Sequence, residues 1–78
     1  MKWPLNFEIL KESRANKHLS LGTLAYMVGD RVGKKISRQA IHNYERGKNT
    51  PPGKVLMALC KILEIDPKRL LDGWTNDF

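Results

Sequence analysis

Residues 36–52 read ISRQAIHNYERGKNTPP, and the fold turns on whether RQAIHNYER within that stretch is a helix. Ser37 suits an N-cap, because its hydroxyl can accept from a first-turn N–H that has no partner inside the helix. Gly47 suits a stop, because glycine enters the left-handed conformation that closes many helices. At about 100° per residue, Arg38, Gln39, His42, Asn43 and Arg46 fall within an arc of about 140°. Ala40, Ile41 and Tyr44 take the other side and are expected to face a core. A surface helix usually carries Glu and Lys, which are good helix formers. Every residue on this arc instead carries a hydrogen-bond donor, and none is acidic.

Helical signals continue on both sides of the stretch. Upstream, Ser20 can cap a helix in which Leu21, Leu24, Val28 and Val32 recur near every fourth residue. Gly29 interrupts it, either as a left-handed cap or as an interior residue costing about 1 kcal/mol relative to Ala. Val32 extends the stripe, so the helix is expected to reach about residue 32, with Gly33-Lys34-Lys35 as the turn. Before it, Asn6 can cap a first helix with Glu8 in its first turn. Phe7, Ile9, Leu10 and Ala15 supply its apolar stripe, and it fades near Asn16-Lys17-His18. Downstream, Thr50-Pro51 reads as N-cap and first helical position. Val55, Leu56, Leu59, Cys60 and Leu63 give that fourth helix its apolar face. Asp66-Pro67 repeats the signal for a short helix holding Leu70 and Leu71, ended by Gly73. No alternating strand pattern is found. The expected fold class is all-α, a compact five-helix bundle in a single domain over 1–78, with its core at 7–72 and a tail at 73–78.

Size and charge narrow the function. The 78 residues leave too little interior for an ordinary enzyme cavity. No apolar run approaches the roughly 18 residues of a membrane span, and MKWPLNFEIL lacks the core and cleavage site of a signal peptide. A lone Cys60 among apolar neighbours reads as a buried, reduced thiol in a cytoplasmic protein. His18 and His42 lie on different elements, no ligand spacing suggests a metal, and no cofactor motif is present, so no enzyme is expected. Arg31, Lys34, Lys35, Arg38, Arg46, Lys48 and Lys54 face the single acid Glu45 between residues 31 and 54. The rest of the chain is balanced, so this third carries the whole net charge of +6. Such a block is an electrostatic footprint for a polyanion.

The arc has the chemistry to read double-stranded DNA. Arg pairs bidentately with guanine O6 and N7, and Gln or Asn with adenine N6 and N7. Arg38, Gln39 and Asn43 lie in the first two turns, the part of a recognition helix that reaches the groove floor. His42 can donate to a phosphate or base, or stand exposed as a spectator. Glu45 would oppose phosphates if unpaired, which makes Arg14 of the first helix its candidate partner.

The string LSLGTLAYMVG…ISRQAIHNYERGKNTPP…ALCKILEIDPKRLL resembles the lambda-repressor-like, Cro/CI-type (XRE-like) helix-turn-helix domains over about residues 7–72. Leu24-Ala25, Ser37-Arg38, Glu45-Arg46-Gly47, Pro51, Leu63 and Leu70-Leu71 carry the likeness. The resemblance implies a bundle whose second and third helices dock on DNA, with base contacts on Arg38, Gln39 and Asn43. It places phosphate contacts near Ser20, Ser37, Arg46 and Lys48, and agrees with an Arg14–Glu45 pair. Two departures matter. Leu21 stands where the family often has a phosphate-holding Gln, and the stretch from Ala25 to Ser37 is several residues longer. That addition sets Arg31, Lys34 and Lys35 beside the recognition helix, either as further phosphate contacts or as a solvated turn.

The expectation is a sequence-specific DNA-binding transcriptional regulator, a repressor of phage or bacterial type. Such domains commonly bind two half-sites one DNA turn apart, about 34 Å, which leaves a homodimer on a two-fold site open. The tail DGWTNDF leaves three roles open for Trp74 and Phe78: covering the core together with Trp3, a dimer contact, or a protein partner in an antitoxin-like or adaptor module.

Overall fold

The computed structural model describes residues 7–70. Five helices follow in order: α1 Phe7–Asn16, α2 Leu21–Val32, α3 Arg38–Glu45, α4 Gly53–Leu63 and α5 Pro67–Leu70. Among the described residues there is no strand. α2 lies against both α3 and α4, and α1 closes the bundle against α3, α4 and α5. Asn6, Leu71, Gly73, Trp3, Trp74 and Phe78 lie outside the described residues.

Each helix buries one face. Leu10 of α1, Leu24 and Val28 of α2, Ile41 of α3, Val55 and Leu59 of α4 and Leu70 of α5 are almost wholly sealed. Full burial of an aliphatic side chain is worth about 1.5–3 kcal/mol relative to exposure, so these contacts are the main force closing so small a bundle. Cys60 joins this core. Burial, with a smaller contribution from Asp66, pushes its thiol pKa up, which keeps it protonated and unreactive. Ala15, by contrast, is exposed. The α1 stripe is therefore Ile9 and Leu10 with Phe7 partly buried beside them.

Side-chain caps define where the helices begin. Ser20 Oγ accepts from Thr23 N at 3.0 Å, Ser37 Oγ from Ala40 N at 3.0 Å, and Asp66 Oδ1 from Lys68 N at 3.0 Å. α4 differs from the sequence reading. It starts at Gly53 with Pro52 in the cap position and no side-chain cap bond, so Thr50 is not its cap and Pro51 is not its first residue. The cause is the second proline. A residue preceding proline is pushed out of the helical region, so Pro51 lies outside the helix and is buried. The doublet moves the helix start two residues on.

Gly29 lies inside α2, and its carbonyl accepts from both Gly33 N and Lys34 N. The helix is closed by Gly33, at φ 78°. Gly29 is glycine because the chain returns across it: a Cβ there would sit 2.7 Å from Lys34 O and 3.3 Å from Ile36 N. Both are backbone atoms with little freedom to move. Gly29→Ala would gain up to about 1 kcal/mol in helix propensity. The clash is the larger effect, so a net destabilisation of about 1–2 kcal/mol is expected from urea unfolding. A more stable variant would show that the turn yields freely.

Candidate nucleic-acid interface

The two serine caps fix the start of α2 and the start of α3. Residues 33–37 join the helices, with Gly33 turning the chain and Ile36 packed partly against the core. From that anchor α3 buries Ile41 and Tyr44, half-buries Ala40, and leaves Arg38 and Gln39 exposed. His42 and Asn43 are only half-exposed, so the outward arc is less open on its C-terminal side. Arg46 and Lys48 are exposed just beyond the helix. Gly47, at φ 73°, turns the chain between them, and Asn43 O accepts from Lys48 N at 2.9 Å. A Cβ on Gly47 would come within 2.8 Å of the Phe7 ring, so α1 fills the space directly behind this turn.

The predicted base-reading residues are linked. Gln39 Nε2 donates to Asn43 Oδ1 at 3.1 Å, one turn along the same face. The bond orients both amides while leaving Gln39 Oε1 and one of its N–H groups unused. Arg38 lies beside them at the first helical position.

The serines are committed to the backbone. Ser37 Oγ accepts from Ala40 N, which leaves its hydrogen to donate outward. Ser20 also donates to Thr23 Oγ1 at 2.9 Å. The hydroxyl hydrogen available at the start of α2 is therefore Thr23's, a residue the sequence reading did not single out. The S-x-x-T spacing was the signal for it. Leu21, in the place of the family's Gln, is partly buried against the core. That position contributes packing, not a polar contact.

Lys34 and Lys35 are exposed on the turn, and Arg31 is exposed at the end of α2. Among the described residues the ion pairs are Arg14–Glu45 and Lys17–Glu64, so no cation between Arg31 and Lys54 is matched to an acid. Glu45, the one acid of the segment, is removed from the surface. Arg14 Nε and Nη2 donate to its two carboxylate oxygens at 2.6 and 3.1 Å, and Arg14 Nη1 donates to Leu19 O at 2.9 Å. The Glu45 side chain is 4% exposed. The hydrogen bond to Glu45 raises the Arg14 pKa above its ordinary value, as expected for a fork-to-carboxylate pair. The pair ties the last turn of α1 to the last residue of α3.

Among the described residues, no group of three or more His, Cys, Asp or Glu is placed to hold a metal ion. No described helix is long and apolar enough to cross a membrane.

The helix-turn-helix family profile matches residues 10–70. A curated protein of Aeropyrum pernix, named "Putative HTH-type transcriptional regulatory protein", is 42% identical over 59 residues. The match covers 76% of this chain and 16% of that protein, so the chain spans about a sixth of the relative's length. No solved structure matches significantly.

Proposed function

Because the chain belongs to the helix-turn-helix family, we propose that it binds double-stranded DNA sequence-specifically and regulates transcription, with α3 in the major groove. One observation carries the reading: the outward side of α3 presents Arg38 and Gln39 with no acid, amid cations that have no carboxylate partner among the described residues. The relative is named as a transcriptional regulatory protein, and transfer of that role to this chain is part of the proposal.

Arg38, Gln39 and Asn43 read base edges, with His42 between them on the same arc. Lys34, Lys35, Ser37, Arg46 and Lys48 contact phosphates on either side of α3. At the start of α2 the contact falls on the Ser20–Thr23 hydroxyl pair. The finer part of the proposal is a repressor of phage or bacterial type, in which a bundle seated in the major groove blocks access to the DNA beneath it. Two copies would occupy half-sites about 34 Å apart.

Selection of bound fragments from a random duplex pool tests this. A two-fold symmetric consensus is the expected result, and a pool that stays random after successive rounds would contradict it. The phosphate assignment has its own test. Lys34→Ala should weaken binding to every duplex alike and reduce the slope of log K against log salt by about 0.9. An unchanged slope removes Lys34 from the interface.

A further inference from the structure

Tyr26 projects from α2 with 76% of its surface exposed, the most of any large hydrophobic side chain among the described residues. Its role was not evident from sequence. It lines a groove between α2 and the turn entering α3. Gly22, Ala25 and Gly29 line the α2 side with nothing larger than a methyl group, and Ile36 lines the turn side. Lys34, Lys35 and Arg38 also line it, against one opposing charge, Asp30.

The groove combines apolar and cationic surface, and the nucleic-acid backbone alternates apolar sugars with anionic phosphates. Ser37 and Arg38 belong both to this groove and to the start of α3, so a strand bordering the major groove at α3 would pass beside it. We infer that the groove seats that strand's backbone, with the Tyr26 ring against a deoxyribose. This rests on the DNA-binding reading above. It adds an apolar, sequence-independent contact to an interface otherwise made of hydrogen bonds and charges. A protein segment in the same groove is the competing occupant, and the experiment separates the two.

The test uses the full chain with Tyr26→Ala and Tyr26→Phe, substitutions that so exposed a site tolerates without loss of fold. Tyr26→Ala should lower affinity about tenfold on preferred and random duplexes alike, from lost apolar burial. The salt slope should stay unchanged, because no charge is removed. Hydroxyl-radical footprints should lose protection at one or two sugars flanking the site while the rest persists. Tyr26→Phe should stay within about twofold of the parent, since the ring is kept. The inference is overturned if Tyr26→Ala binds DNA as the parent does, as it would with a protein in the groove. An unaltered footprint, or a Phe variant that falls as far as Ala, overturns it too. A parent chain that binds no duplex would instead overturn the DNA-binding reading itself.

Discussion

Replacing Arg14 with methionine is expected to lower the free energy of unfolding by about 3 kcal/mol, read as a lower urea midpoint at unchanged slope. The size follows from what is left behind. Glu45, 4% exposed, would lose two hydrogen bonds and the charge paired with it, and Leu19 O would lose its donor. A surface pair would be worth at most about 1 kcal/mol; burial of the carboxylate makes the difference. The double variant Arg14→Met with Glu45→Met should recover much of the loss, because the destabilising element is the orphaned charge. Since the Arg14 pKa is raised on folding, its contribution is complete below the ordinary arginine value. It fades only as pH climbs through the folded one, so Arg14 itself contributes no pH dependence near neutrality. If Arg14→Met shifted stability by less than about 0.5 kcal/mol, the pair would be incidental.

The second large effect is expected on DNA. Gln39→Ala should weaken binding to the preferred site by about 1–3 kcal/mol and relax base choice at one position. Random duplex should be bound almost as before. Gln39 is exposed at the second residue of α3, and its amide is held by Asn43 at 3.1 Å. Its remaining carbonyl oxygen and N–H can still pair with adenine N6 and N7. Equal losses on both kinds of DNA would assign Gln39 to backbone positioning and remove it from base readout.

Local signals in the chain were legible where they depend on a residue and its immediate neighbours. Ser20, Ser37 and Asp66 each accept a nearby backbone N–H, and the apolar period placed Leu24, Val28, Ile41 and Leu59 in the core. The Thr50-Pro51 start was misread because the restriction comes from the following Pro52. Gly29 was ambiguous because its reason lies in backbone five to seven residues later. The helical wheel treated all five arc residues as equals, whereas His42 and Asn43 are half-covered. A wheel carries no knowledge of what packs beside each edge. Tyr26 had no visible role for the same reason, since its groove is formed by the turn that folds back beside α2.

The central claim is that the exposed side of α3 distinguishes one duplex sequence from another. The most direct measurement compares the affinity of the unaltered chain for its selected site and for random duplex at one physiological salt concentration. The account predicts a ratio of at least about 10³. Indistinguishable affinities for the two duplexes would contradict it.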